Sequence, residues 1–174
     1  MNHLFLSLYA MSRVQLWRVF FASLVLVFFC PLHAIQGSDA DFYGINEHPH
    51  IYASDHEALC DQIIASGTKW VRISPVWGDI ETSKNVYNTA YIARIDAIVD
   101  RLTSHDVNVV WVLCYTASWA SSAPTDAPYR SRYKPANWED WDSFVTWATG
   151  HFGDRITNWE VWNEPDHHGF WKDT

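Results

Sequence analysis

Val107-Asn108-Val109-Val110-Trp111-Val112-Leu113 is apolar at every position except Asn108. A run this short and this continuously apolar predicts a strand buried on both faces, the kind found in parallel sheets. The segments around it agree. Upstream, Thr89 to His105 carries Ile92, Ile95, Ile98, Val99 and Leu102 at helical spacing. Downstream, a Ser/Ala/Pro-rich loop leads to Asn137, which is placed to cap a third helix bearing Trp141, Phe144, Val145 and Ala148. Gly150 and Gly153 are expected to close that helix, and Ile156 to Trp162 forms a last strand.

The N-terminal side repeats the pattern. Asp41-Phe42-Tyr43-Gly44-Ile45-Asn46 predicts a short strand that runs into the polar loop Glu47-His48-Pro49-His50. Ser54-Asp55-His56-Glu57 has the form of a capping box, Ala58, Leu59, Ile63 and Ile64 follow with helical spacing, and Gly67 supplies the stop. Lys69-Trp70-Val71-Arg72-Ile73-Ser74 is the next strand, halted by Pro75. Strands alternating with helices require parallel pairing through crossovers, so the fold class is α/β. Only one glycine follows the first strand, where a dinucleotide fingerprint needs three, which argues against a nucleotide-binding doubly wound sheet. The unusual polar and aromatic residues fall after strands: Asn46 and His48, Trp77 and Asp79, Tyr115 and Trp119, Asn163 and Glu164. In a (β/α)8 barrel those loops share one face.

Composition narrows the function. Lys and Arg number 12 against 20 Asp and Glu, for a net charge of -8; nucleic acid is not an expected partner, because phosphate contacts need clustered cations. With 48% hydrophobic and 18% charged residues, the chain of 174 residues has the composition of a packed domain. Trp is in excess, at 11 residues, and serves either a core or a site that stacks flat ligands. Residues 1–34 hold Arg13, Arg18, no carboxylate and the apolar run Val19 to Phe29, with Leu32-His33-Ala34 at a cleavage position. They are expected to be a signal peptide, since a span needs about 20 apolar residues; an uncleaved anchor helix is the alternative. Cleavage would remove two positive charges, leave residues 35–174 free of the membrane, and place them in a secreted or periplasmic compartment. Cys60 and Cys114 would then remain, either as a disulfide or as buried thiols.

The sharpest local signal is Trp159-Glu160-Val161-Trp162-Asn163-Glu164-Pro165. Pro165 keeps Glu164 out of a helix and sets it, with Asn163, at a strand's C-terminal end. A carboxyl against the Trp162 indole is expected to be desolvated and to hold its proton more tightly, as a general acid for a glycosidic oxygen must. Asp166-His167-His168 lacks the spacing of a helical metal site, and no metal is expected there.

Trp162-Asn163-Glu164-Pro165 after an apolar strand resembles the fourth-strand signature of the clan A glycoside hydrolases, (β/α)8 retaining glycosidases. Tyr43-Gly44-Ile45-Asn46 is similar to their first strand, and Gly67-Thr68-Lys69-Trp70-Val71-Arg72-Ile73 to their second. Phe152-Gly153-Asp154-Arg155-Ile156 is similar to the approach to the fourth. Phe170-Trp171 after the signature resembles family 39 (β-xylosidase-like) and family 5 (cellulase-like) members. The resemblance implies the N-terminal half of a TIM barrel, strands one to four, over about residues 41–174. It makes Glu164 the general acid/base and Asn163 the partner of the sugar 2-hydroxyl. Arg72 would orient the nucleophilic carboxylate, or else form an ion pair inside the barrel with Glu160. Trp77 and Trp119 are sugar platforms or core residues, His48 would reach a sugar hydroxyl, and Tyr115 occupies a polar subsite position.

A retaining glycosidase needs two carboxylates about 5–5.5 Å apart. The clan's nucleophile ends strand seven, and this stretch reaches Thr174 just past strand four. The expectation is therefore one half of the machinery, in the N-terminal part of a secreted hydrolase of β-linked polysaccharide or oligosaccharide. A secreted carbohydrate-binding half-barrel without chemistry, single or paired, is the alternative. The two-carboxylate mechanism needs no cofactor.

Overall fold

The computed structural model describes residues 42–52 and 54–172; the leader expected over residues 1–34 lies outside them. Four parallel strands form one sheet in the order β1 (Gly44–Asn46), β2 (Trp70–Ile73), β5 (Asn108–Leu113), β6 (Asn158–Val161). Spatial order follows chain order, as in a barrel wall. The expected strands are all present but shorter; β6 ends at Val161, three residues before Glu164, although Trp162 N–H still donates to Leu113 O at 2.8 Å. Register pairs Asn46 with Arg72, Arg72 with Val110, and Val112 with Glu160. Gly44 permits the close approach of β1 to β2, since a Cβ there would stand 3.1 Å from Trp70 Cβ.

Helices α1 (His56–Ala65), α3 (Thr89–Thr103) and α4 (Trp138–Phe152) follow β1, β2 and β5. Asn137 caps α4, its side chain accepting from Glu139 N–H, and Asn88 caps α3 by accepting from Tyr91 N–H. The capping box expected at Ser54 is not formed: Asp55 is the cap residue of α1 and makes no side-chain bond. Gly67 does end the first helical segment, at φ +75°. Gly150 stops nothing, because α4 runs on to Phe152 and Gly153 keeps a right-handed φ of -67°.

Strand alternation sorts the two faces. Val71, Ile73, Val109, Trp111 and Leu113 pack under the helices against Ile95, Ile98, Phe144 and Phe152. Arg72, Val110, Val112 and Glu160 take the opposite face. That face is not closed: Val110 is half-buried and, with Asn46, Trp70 and Arg72, lines a hollow of about 340 Å³. The opposite face is covered towards its C-terminal end, where Val112 is fully buried with Cys114 and Trp162, and open around Val110; four strands cannot close a barrel over it.

The segment after β2 departs from the expected loop. It holds a short helix α2 (Trp77–Ile80) and a hairpin, β3 (Glu81–Ser83) with β4 (Val86–Tyr87). Glu81, 4% exposed, organises both. Its Oε2 accepts from Trp77 Nε1 at 2.7 Å and its Oε1 accepts from Asn85 N–H at 2.6 Å. Cys60 and Cys114 are buried free thiols, not a disulfide. Burial pushes them up to about 11 and about 12, so neither is a ready nucleophile. Among the described residues no helix is long and apolar enough to cross a membrane.

Candidate functional site

The C-terminal ends of β1, β2, β5 and β6 meet along one edge of the sheet, and most of the polar residues singled out in the sequence lie there. At its centre is Arg72. Its Nε donates to Glu160 Oε2 at 2.8 Å and its Nη2 to Glu160 Oε1 at 2.7 Å, a bidentate fork. Nη2 also donates to Asn163 Oδ1 at 2.9 Å, and Nη1 reaches Asn46 Oδ1 at 3.4 Å. The ion-pair alternative for Arg72 is thus realised, and the same guanidinium holds Asn163. Hydrogen bonding to Arg72 holds the Glu160 carboxyl below the usual carboxylate range, and the pairing raises Arg72 in turn.

Glu164 follows on a backbone bent against its preference. Tyr115, Trp162 and Glu164 have φ of 62°, 66° and 46°, left-handed values that cost a non-glycine residue about 1–2 kcal/mol. All three follow strand ends, where strain of this kind gathers at working sites. Trp162 is buried and held by several contacts. Its Nε1 donates to Phe170 O at 2.9 Å, and its ring meets Trp171 edge-on at 4.6 Å and Tyr115 at 6.0 Å. Those contacts take up the indole, and Glu164 is exposed. The burial of Glu164 against Trp162 expected from the sequence is therefore not seen. Since Glu164 contributes strain and no packing, Glu164→Gly is expected to raise stability by about 1 kcal/mol. A higher midpoint in urea unfolding checks this; a lower one would contradict the strain.

Tyr115 sits on the same edge, half-buried. Burial pushes its phenol up, the Cys114 and Glu164 charges add to this, and Arg132 and Arg72 oppose it. His48 Nδ1 lies 3.3 Å from Ser74 Oγ, which ties the loop after β1 to the end of β2. Behind it lies a residue that sequence reasoning missed. His50 is 2% exposed, edge-on to His48 at 5.5 Å, with Arg94 Nη1 donating to its carbonyl at 3.1 Å. Burial, reinforced by His48, pushes His50 down to about 4. Periodicity offers no signal for it; two histidines around a proline are indistinguishable from a solvated loop.

The two Trp residues separate. Trp77 is fully buried, stacked on Phe144 at 5.1 Å and edge-on to Trp119 and Trp141. Neither of its faces is open to a ligand, so the platform role expected for Trp77 gives way to a core role. Trp119 is half-buried; its Nε1 donates to Glu81 O at 2.9 Å, and it lines a polar hollow of about 180 Å³ with Asp79, Thr82, Ser118 and Ser131. That hollow leaves Trp119, unlike Trp77, partly open for a platform role. Asp166, His167 and His168 are exposed, and His167 Nδ1 accepts from Gly169 N–H.

No family model matches the chain. Among curated proteins it is 30% identical over 117 residues to 4-hydroxy-7-methoxy-3-oxo-3,4-dihydro-2H-1,4-benzoxazin-2-yl glucoside beta-D-glucosidase 1d, chloroplastic, of Triticum aestivum. That match takes in 67% of this chain and 20% of the relative. Among solved structures it is similar to a family 39 glycoside hydrolase from the gut symbiont Bacteroides cellulosilyticus WH2 (TM-score 0.51, 21% identity, 70% of this chain and 24% of that one). It is also similar to a beta-glucosidase from Exiguobacterium marinum (TM-score 0.53, 17% identity, 67% and 25%) and to aphid myrosinase (TM-score 0.51, 18% identity, 65% and 24%). The chain thus spans about a fifth to a quarter of the length of these relatives. Its fold is that of part of a TIM-barrel glycosidase, four parallel strands of the eight, and it resembles the clan A glycoside hydrolases.

Proposed function

We propose that this chain supplies the acid/base half of a secreted retaining β-glycosidase. The observation that carries the reading is the edge formed by Arg72, Asn163 and Glu164. Asn163 is fixed by Arg72 at 2.9 Å, and the exposed Glu164 follows it on a strained backbone. In this reading Glu164 protonates the leaving oxygen and later deprotonates water, while Asn163 bonds the sugar beside the reacting carbon. His48, Tyr115 and Trp119 contribute to the walls of the sugar site. The exposed Glu164 fits an incomplete site, since the walls that would desolvate it belong to strands five to eight of such a barrel. The second carboxylate is assigned to a later strand, so this chain alone is proposed to bind but not to turn over.

Export to the periplasm or the exterior is part of the proposal, supported by the basic, apolar, carboxylate-free composition of residues 1–34. The substrate class is a β-linked glycoside, supported by the names of the relatives. The full chain is expected to release no phenol from aryl β-glycosides above the uncatalysed rate. Measurable release with retained configuration, abolished by Glu164→Gln, would overturn the assignment of the nucleophile elsewhere.

A further inference from the structure

We propose that Glu160 is a positioning residue that sets which face of Asn163 meets the ligand, acting through Arg72. The inference rests on the reading of this edge as a sugar site, and its geometry is independent of that reading. Arg72 and Glu160 stand on β2 and β6, the two strands that flank β5. Their backbones are therefore two strand spacings apart, roughly 9–10 Å. The Arg72 side chain crosses over β5 to reach Glu160, and it could lie in many rotamers if the far end were not held. The fork of 2.8 and 2.7 Å bonds holds it and fixes the guanidinium plane.

That plane decides the orientation of Asn163. Nη2 carries two hydrogens; one goes to Glu160 Oε1 and the other to Asn163 Oδ1. A guanidinium only donates, so the amide atom that meets it must be the oxygen. The Asn163 NH2 is then turned away from Arg72, and it presents donors to whatever binds along the edge. A sugar hydroxyl oxygen is an acceptor that fits. Released from Arg72, the amide could turn either way, and Asn46 Oδ1, already 3.4 Å from Nη1, would compete for the guanidinium. Glu160 itself is occupied by Arg72, so it acts on a ligand only through that residue. Gln cannot replace it, because its NH2 would face a guanidinium donor and break one arm of the fork.

The test follows the side-chain amide resonances of Asn163 in the full 15N-labelled chain, identified by their loss in Asn163→Ala. A background of Glu164→Gln and Glu47→Gln removes the carboxylate that follows Asn163 in the chain and the one on the residue whose N–H donates to Arg72 O. Cys114 and Tyr115, whose charges act on Arg72, are both pushed up and stay neutral in acid. On acidification the Asn163 resonances are expected to move with a midpoint below the usual carboxylate range. Adding Glu160→Gln should abolish that movement and displace the resonances at neutral pH, with the remaining amide spectrum unchanged. If the variant fails to fold, the acid titration of the Glu160-containing chain still decides. Asn163 resonances that ignore both pH and Glu160 would overturn the proposal. A final arm adds phenyl β-D-glucopyranoside to the chain. Where it binds, Glu160→Gln should weaken it about two- to tenfold, the worth of one misdirected hydrogen bond. An acid response without glycoside binding would uphold the positioning role and count against the sugar reading alone.

Discussion

Trp77→Ala is expected to remove most of the stability of the fold. Trp77 is fully buried, stacked on Phe144, and in edge contact with Trp119 and Trp141. Truncating a Trp in such a place costs about 3–5 kcal/mol through lost transfer energy and the cavity left behind. The substitution also strips a donor from Glu81 Oε2, a carboxylate only 4% exposed, which adds about 1–3 kcal/mol. Domains of this size have about 5–15 kcal/mol in total. Urea unfolding should therefore show a transition shifted close to zero denaturant, or no folded baseline at all. Trp119→Ala, at a half-buried ring, should cost much less. Equal, small effects for the two would show that Trp77 is not the packed residue described.

The second large effect is a loss of stability in mild acid, centred on His50. Its imidazole is pushed from the ordinary value of 6.5 down to about 4, chiefly by burial and then by His48. Between those two values the unfolded chain binds a proton that the folded chain refuses. Stability therefore falls as the pH drops from 6.5 towards 4, and the loss is complete below 4. The shift corresponds to about 3 kcal/mol. The charged and titratable groups around His50 act in the same direction: His48 is edge-on to it, and the Arg94 guanidinium binds its carbonyl. Unfolding free energy measured across this window should slope steeply for the wild-type chain and flatten in His50→Gln. An unchanged slope would place the acid sensitivity elsewhere.

How much of this was legible in the sequence depended on the range of the interaction. The parallel sheet could be read because β5 is almost continuously apolar, α3 because its apolar stripe is local, and α4 because its stripe and its Asn137 cap are. Asn163-Glu164-Pro165 could be located at a strand end because a proline restricts its predecessor. The strand's own end could not, since Trp162 continues the ladder by one bond and then turns left-handed. Trp77 stood between Pro75 and Gly78 and had the look of a loop residue; a four-residue helix is too short to leave a period. Its burial comes from Phe144 and Trp141, more than sixty positions away. The Arg72–Glu160 pair could be named as an alternative from charge alone. That Asn163 shares the same guanidinium could not, because it depends on three strands lying in register.

The exposed surface offers a rival place for a carbohydrate to bind. Trp138, Trp141, Trp162 and Trp171, with Val161 and Pro165, line a groove of about 230 Å³ beside β6. A groove lined by aromatic and apolar side chains would serve a binding module that does no chemistry, whereas the strand-end edge offers an amide and a carboxylate.

We propose that a glycoside meets this chain at Asn163 and Glu164. The most direct test is a titration of the full 15N-labelled chain with phenyl β-D-glucopyranoside, following backbone and side-chain amide shifts. The perturbations are expected to gather on Asn163, Glu164 and Tyr115 and to vanish in Asn163→Ala. Perturbations confined to the groove around Trp138 and Trp171, with Asn163 and Glu164 silent, would contradict it.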